Sequence, residues 1–178
     1  MKSLLFIGGS GFLGQSFIDY INQEKSKKIK LSNIIILSRK KKFFRSKIKI
    51  SYIKSSISKI KRIPQTDYII YAANSNNNLE NINGINNFIN LLNKDHKQTK
   101  ILFTSSGAVY GPRNYLKKFR ESEKINKKKL KNFNGYKKEY SKTKIYMEKE
   151  FQKLADRGYN VSIARLFSFI GKRIIINK

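Results

Sequence analysis

The feature that most constrains this chain is its start, where a short apolar run leads directly into regularly spaced glycines. The run Ser3–Ile7 precedes Gly8, Gly11 and Gly14, and apolar residues then recur at helical spacing over Phe12–Ile21. A buried strand, a tight turn and an amphipathic helix have these periodicities. The pattern therefore predicts strand, turn and helix in direct succession.

Each glycine has a separate role in a turn of this kind. Gly8 permits the tight turn, Gly11 lets backbone N–H groups approach a pyrophosphate at the helix N-terminus, and Gly14 allows the helix to pack closely on the strand. The turn therefore predicts a dinucleotide-binding site. Glycine-rich turns between a strand and a helix also occur without a ligand, so this reading depends on the rest of the chain.

The composition is strongly basic. The chain has 178 residues, with 39 Lys and Arg against 11 Asp and Glu and a formal net charge of +28. Such a charge is compatible with nucleic-acid binding. The lysines, however, are spread along the whole chain among many Ile and Asn residues, and no nucleic-acid-binding module or aromatic stacking surface is evident. We therefore interpret the charge as biased amino-acid usage and expect no specific nucleic-acid partner.

Cysteine is absent and histidine occurs only as His96. This argues against disulfides, thiol catalysis and a metal site. The apolar run near the start is too short for a signal peptide, and no stretch approaches the length of a membrane span. We expect a cytoplasmic protein without a membrane span.

Further apolar runs predict five more strands, at Asn33–Leu37, Ile48–Ile53, Asp67–Tyr71, from Lys100 to a hydroxyl-rich end, and at Asn160–Phe167. One helical pattern lies in the Asn-rich stretch Asn74–Asn90, where apolar residues recur from Ile82 to Leu92, and a second runs from Tyr140 to Gly158. The Lys-rich segment from Tyr115 to Lys138 predicts an exposed, mobile loop. Because crossovers between parallel strands are right-handed, we predict a doubly wound α/β fold of three layers. It would be one Rossmann domain over residues 1–178, with six parallel strands in the order 3-2-1-4-5-6.

The end of the second strand bears on the choice of cofactor. An acidic residue there binds the ribose 2′-OH of NAD, whereas a neutral residue followed by Arg accommodates the 2′-phosphate of NADP. The chain has Ser38 followed by Arg39 and Lys40. This favours NADP over NAD, although the same residues would also fit an ordinary Lys-rich surface.

Tyr140 and Lys144 are four residues apart on a predicted helix and therefore lie on one face of it. An ammonium group beside a phenol can stabilise the tyrosinate and lower a pKa whose reference value is about 10. Such a pair could act as an acid/base. In a chain this rich in Lys, the same spacing also arises on a solvated face without any function.

Together these motifs resemble the extended short-chain dehydrogenase/reductase family, which contains NAD(P)-dependent nucleotide-sugar epimerases, dehydratases and reductases. The resemblance covers nearly the whole chain, and the landmarks occur in the family's order. They are the glycines at 8, 11 and 14, the phrase Asn81–Gly84, the stretch Ser105–Gly111, the pair Tyr140 and Lys144, and Arg165–Phe167.

The resemblance implies a catalytic set of three residues. Ser106 would hydrogen-bond the substrate oxygen, Tyr140 would take the hydroxyl proton while hydride goes to the nicotinamide, and Lys144 would hold the nicotinamide ribose and lower the tyrosine pKa. The resemblance also implies cofactor contacts beyond the glycines, Ser38 and Arg39: Phe12 and Leu13 at the pyrophosphate, Ser56 and Ile57 at the adenine, Ala72 and Ala73 along the cofactor, and Phe167 near the nicotinamide.

Departures from the family pattern qualify these expectations. Ser56 stands where the family often has Asp, and Ser168 and Ile170 stand where Asn and Tyr are common. Family dehydratases typically have Glu two residues after the catalytic hydroxyl, where this chain has Ala108. Members also continue past this point into a region that grips the nucleotide-sugar.

These observations favour an epimerase or keto-sugar reductase acting on a nucleotide-sugar, in polysaccharide or other sugar biosynthesis. Two alternatives stay open. One is a non-catalytic dinucleotide-binding module, if the short chain is a truncated product, and the less favoured one is a basic nucleic-acid-binding protein. A homodimer is an assembly that the resemblance allows.

Overall fold

The computed structural model describes residues 2–23, 30–112 and 118–169. Its centre is a six-stranded sheet in the order 3-2-1-4-5-6, and every pair of neighbouring strands is parallel. The strands are β1 (Lys2–Ile7), β2 (Leu31–Ser38), β3 (Lys49–Lys54), β4 (Tyr68–Tyr71), β5 (Lys100–Ser106) and β6 (Asn160–Leu166). The predicted Rossmann fold and strand order are confirmed.

Three helices cover the sheet: α1 (Phe12–Asn22), α2 (Asn78–Leu91) and α3 (Gly135–Asp156). Short 3₁₀ helices occur at Ile57–Lys59, Lys94–Gln98, Gly107–Tyr110 and Lys127–Asn132. Leu5 and Ile7 of β1 belong to the core beneath α2 and α3, whereas Leu4 and Phe6 belong to the core beneath α1. Successive strand residues point to opposite faces, so β1 is apolar throughout because both of its faces are buried.

The Asn-rich segment forms α2, as its periodicity predicts. The helix begins after Asn77, whose side chain accepts hydrogen bonds from the backbone N–H groups of Leu79 and Glu80. This is the capping that free N–H groups at a helix start require. Ile85 and Phe88 are fully buried on its inner face. Asn83 and Asn90 are exposed, whereas Asn81 is buried and hydrogen-bonded to the Ser75 backbone, so the asparagines do not all form a polar outer face.

The basic segment before α3 is more ordered than its composition predicts. Residues 113–117 and Ile170 lie outside the described residues, but Lys127–Asn132 forms a 3₁₀ helix. Within it Leu130 is only 3% exposed and packs with Val109, Tyr110 and Ile145. A single apolar residue among lysines produces no periodic pattern. The sequence therefore predicted an exposed loop for this segment.

Aromatic side chains from two strands and two helices meet in the larger core. The Phe103 and Phe151 rings stack with centroids 4.4 Å apart, and Tyr71 makes edge contacts with both rings and with Phe88. All four side chains are at most 1% exposed. The cluster thereby joins β4 and β5 to α2 and α3. Of these elements, β5 carries Ser106 and α3 carries Tyr140.

This cluster makes Phe151 a sensitive position. We expect Phe151→Ala to lower the free energy of unfolding by about 3–5 kcal/mol, because the loss of a buried ring removes apolar contacts and leaves a cavity. Urea denaturation of both proteins measures the change. The matched control is Phe43→Ala, since Phe43 is 87% exposed, and it should change stability by less than about 0.5 kcal/mol. Equal effects of the two substitutions would contradict this description of the core.

Candidate functional site

An open groove of about 1460 Å³ lies at the carboxyl ends of β1, β2, β3 and β4. In open α/β sheets this edge is where ligands bind. The groove gathers predicted cofactor residues from four separate parts of the chain: Gly8, Gly11, Phe12, Leu13, Ser38, Arg39, Ser56, Ile57, Ala72 and Ala73. Gly14, Tyr140, Lys144 and Phe167 do not line it.

Backbone contacts explain the glycine turn. Gly8 has φ +83°, and a Cβ atom there would lie 2.7 Å from the Ala73 backbone nitrogen. A Cβ atom on Gly14 would lie 2.0 Å from the Gly9 carbonyl oxygen. The turn therefore touches the segment after β4 on one side and α1 on the other, and side chains at these two positions would force the segments apart.

The start of α1 is suited to an anion. Gly11 occupies the N-cap position without a side-chain cap, and the first turn contains no acidic residue. Free N–H groups and the positive end of the helix dipole favour negative charge at such a position. With the close backbone packing of the turn, this arrangement fits the pyrophosphate of a dinucleotide.

Charged and hydroxyl groups meet at the far end of the groove. Arg39 Nη1 donates to both carboxylate oxygens of Glu80 at 3.0 Å. The same carboxylate accepts from the Ser75 hydroxyl at 2.6 Å and from the Ser56 hydroxyl at 3.4 Å. These bonds, that of Ser75 foremost, together with the nearby guanidinium, lower the pKa of Glu80 despite some opposing desolvation.

Sequence reasoning predicted Arg39 and Ser56 at this end but missed Glu80. Glu80 is 41 residues from Arg39 along the chain and lies on α2, in the Asn-rich segment. No motif links the two positions, so only the folded chain reveals the pair.

The hydroxyl and phenol of the predicted catalytic set come together at the end of β5. The Ser106 hydroxyl accepts a hydrogen bond from the Ala108 backbone N–H at 3.2 Å, which fixes the turn after the strand. Tyr140, on α3, lies near enough to Ser106 for that hydroxyl to influence the phenol. Burial raises the pKa of Tyr140, while the Ser106 hydroxyl acts in the opposite direction. In this state the phenol keeps its proton at neutral pH.

Lys144 is 4% exposed and lies one helical turn after Tyr140. Its Nζ donates to the Thr104 carbonyl at 3.3 Å and lies 5.7 Å from the centroid of the Tyr140 ring. Burial lowers the pKa of Lys144 to about 8, with partial compensation from Glu148. We predicted that Lys144 lowers the pKa of Tyr140, but in the structure that pKa is raised. Burial of the phenol has the larger effect, and the Lys144 ammonium donates to the Thr104 carbonyl rather than to the phenol.

A largely buried ion pair between Arg165 and Glu148, with side chains 25% and 7% exposed, lies near these groups and was not predicted from the sequence. Arg165 Nη2 and Nε donate to Glu148 at 2.9 and 3.0 Å, and the Ser105 hydroxyl donates to the same carboxylate at 2.5 Å. Arg165 also donates to the Tyr110 hydroxyl at 2.7 Å. The network ties α3 to β5 and β6 and so sets where Tyr140 stands. No local spacing links Glu148 on α3 to Arg165 on β6, so the sequence offers no signal for the pair.

Phe167 lies at the turn after β5 and away from the glycine turn. A Cβ atom on Gly107 would lie 2.4 Å from Phe167 Cδ1, so the ring rests directly on that backbone. The ring is 58% exposed and stacks with Tyr110 at 6.2 Å between centroids. Its position next to Ser106 is compatible with the predicted location near a nicotinamide.

Two absences apply to the described ranges 2–23, 30–112 and 118–169. Within them no three His, Asp or Glu side chains converge as metal ligands. Among the helices of the same residues, none combines the length and the apolar character needed to cross a membrane.

The burial of Lys144 leads to a pH-dependent prediction. Its native pKa of about 8 lies below the ordinary value of 10.5, so between these pH values the unfolded chain binds more protons and stability rises with pH. We expect the stability of the native protein relative to Lys144→Met to increase by roughly 2–3 kcal/mol from pH 8 to 10.5. Urea denaturation of both proteins across this range measures it. A difference that stays constant would show that Lys144 is not protonated more weakly in the folded state.

Solved structures with similar folds are nucleotide-sugar enzymes among others. A dTDP-glucose 4,6-dehydratase from Bacillus anthracis, in complex with NAD, is 16% identical with a TM-score of 0.66 over 93% of this chain and 54% of that chain. A nucleoside-diphosphate-sugar epimerase from Agrobacterium tumefaciens is 15% identical with a TM-score of 0.64, over 93% and 52%. A UDP-glucuronic acid 4-epimerase from Bacillus cereus, in complex with NAD, is 14% identical with a TM-score of 0.58, over 97% and 58%.

The chain therefore spans about half the length of these structures. No curated protein matches it significantly. The sequence model of the NAD dependent epimerase/dehydratase family matches residues 4–177, which is nearly the whole chain. With its parallel sheet, glycine turn and groove, the chain belongs to the NAD dependent epimerase/dehydratase family.

Proposed function

We propose that this chain is the NAD(P)-binding part of a nucleotide-sugar epimerase or keto-sugar reductase that works through Ser106, Tyr140 and Lys144. One observation carries the proposal. The buried Lys144 lies 5.7 Å from the Tyr140 ring and donates to Thr104, near the end of the strand that carries Ser106. A dinucleotide cradle next to a hydroxyl, a phenol and an ammonium is the arrangement that hydride-transfer chemistry on an alcohol requires.

The groove residues have distinct roles in this proposal. The turn from Gly8 to Leu13 would hold the pyrophosphate, Ser56 and Ile57 the adenine, and Ala72 and Ala73 the middle of the cofactor. The small alanine side chains leave the groove open at the end of β4. When bound, a nicotinamide cofactor supplies the group that accepts or returns the hydride.

The proton chemistry belongs to the chain itself. Tyr140 would exchange a proton with a sugar hydroxyl, and Ser106 would hydrogen-bond the same substrate oxygen. The raised pKa of Tyr140 suits a proton donor, as in the reduction of a ketone. For the reverse direction the ammonium of Lys144 must stabilise the tyrosinate. Ala108 provides no acid/base after the hydroxyl, which favours epimerisation or reduction over dehydration.

The proposal extends to the substrate, the cellular role and the assembly of the protein. The family and the names of the similar structures support a nucleotide-sugar substrate, in cytoplasmic polysaccharide or other sugar biosynthesis. Residues 1–178 would form one cofactor-binding domain, with the substrate gripped by a further region or partner, and the protein could act as a homodimer. The neighbours' greater length supports the need for such a region.

A second candidate is dinucleotide binding without turnover. It is favoured by the position of Tyr140 and Lys144, neither of which lines the groove. Oxidation or reduction of the cofactor that depends on added nucleotide-sugar separates the two candidates, because a purely binding module produces none.

Cofactor preference gives a direct test of the groove. We expect NADP to bind more tightly than NAD, because Ser38 carries no charge and Arg39 can pair with a 2′-phosphate. Arg39→Ala should remove most of the difference while leaving NAD binding nearly unchanged. Calorimetric titration of the full chain with each cofactor at constant salt measures both affinities. Equal or tighter NAD binding by the native protein would overturn the preference.

The acid/base role of Tyr140 predicts a separation of turnover from binding. Tyr140→Phe should lower the rate by about 10²-fold or more, because the proton donor is lost, with cofactor affinity largely unchanged. The assay is the absorbance of the reduced cofactor, on the chain fused to or co-expressed with a family substrate region. Tyr136→Phe is the matched control, since Tyr136 is 57% exposed on the same helix. Full activity of Tyr140→Phe would rule out the mechanism.

A further inference from the structure

The pairing of Arg39 with Glu80 has a consequence for cofactor choice. Glu80 lines the groove together with Arg39 and Ser56. Both of its carboxylate oxygens accept from the single Arg39 Nη1. The guanidinium that would recognise a 2′-phosphate therefore already has a carboxylate partner at the place where the phosphate would bind.

Glu80 is held in this position by more than the arginine. The Ser75 hydroxyl, in the segment just before α2, donates to Oε2 at 2.6 Å, and the Ser56 hydroxyl donates to Oε1 at 3.4 Å. Asn81 fixes that segment in turn, since its side chain exchanges hydrogen bonds of 2.7 and 2.8 Å with the Ser75 backbone. These hydrogen bonds hold the first turn of α2 in place and keep the Glu80 carboxylate at the groove.

The pair contributes little to folding. The Arg39 and Glu80 side chains are 58% and 29% exposed, and exposed ion pairs typically add less than about 1 kcal/mol to stability. Three donors hold the Glu80 carboxylate in the groove. We therefore expect the carboxylate to affect ligand binding more than it affects stability. Both of its oxygens hold the guanidinium nitrogen that a 2′-phosphate would otherwise engage.

We propose that Glu80 is a specificity-determining residue, which weakens binding of the 2′-phosphorylated dinucleotide by occupying Arg39 and leaves binding of the unphosphorylated one almost unaffected. The inference rests on the proposed cofactor function of the groove. NADP must displace the carboxylate from Arg39 to gain its own ion pair, whereas NAD leaves the pair in place. The preference for NADP is therefore smaller than an unpaired Arg39 would produce.

The test is Glu80→Gln in the full chain. Glutamine keeps the shape and an acceptor for Ser75 but removes the charge. We expect NADP affinity to rise about tenfold relative to NAD affinity, because Arg39 no longer has to give up a charge-assisted hydrogen bond, worth roughly that factor, before it can bind the 2′-phosphate. Calorimetric titrations with NADP and with NAD at one salt concentration measure the ratio. Thermal unfolding of each variant confirms that the fold is retained.

Two further variants identify the cause of the change. Glu150→Gln removes one carboxylate from another surface ion pair, with Lys153, so it controls for the general effect of charge in a chain of net charge +28. It should leave the ratio of affinities unchanged. In an Arg39→Ala background, Glu80→Gln should raise the ratio by less than about threefold, because the release of Arg39 is what the substitution achieves.

The possible outcomes are distinguishable. A tenfold rise that depends on Arg39 supports the inference. An unchanged ratio, a rise equal to that of Glu150→Gln, or the same rise without Arg39 overturns it while leaving the cofactor function intact. If the native chain binds neither NAD nor NADP, the proposed function fails and the inference fails with it.

Discussion

The close contact of backbone with backbone at the carboxyl end of β1 is the constraint on which the rest of the structure depends. Gly8 touches the segment after β4, and Gly14 touches the turn at Gly9. Interiors are packed like solids, so a side chain at either position would have to displace a strand end or a helix. The same contacts keep the groove floor free of side chains. The absence of a Cβ atom at these two glycines therefore determines both the packing and the shape of the groove in which we propose that a cofactor binds.

A second constraint operates on the other half of the sheet. Ser106 is the last residue of β5 and Tyr140 lies on α3. The two residues are close only if α3 has a fixed position along the direction of the strand. The Glu148–Arg165 pair fixes that position from β6, because several short hydrogen bonds join the two charges and little of either is exposed. A buried charge is costly without its partner. The pair therefore favours a single alignment of the elements that carry the proposed chemistry.

The net charge of +28 has little influence on the geometry of the groove or on the ion pair of α3. The ion pairs of the groove and of α3 are local and short, whereas exposed charges more than about 10 Å apart are screened by salt. Lysines at the groove rim, Lys40 to Lys42, would favour any phosphorylated ligand. Selectivity among such ligands requires a group with a fixed position and the opposite sign, and Glu80 is that group in the described part of the groove.

The sequence by itself determined the fold and most of the groove. Strand order followed from apolar runs alternating with crossovers, and the glycine turn and Ser38–Arg39 followed from local patterns. The other groove residues came from the resemblance to the family. Tertiary structure alone decided the partners of the charged groups. Glu80 meets Arg39 across 41 residues, and burial determines the direction of the Tyr140 and Lys144 pKa values. Periodicity reports which face of an element is buried, but a pKa or an ion pair depends on atoms from distant segments, and only the folded chain brings those together.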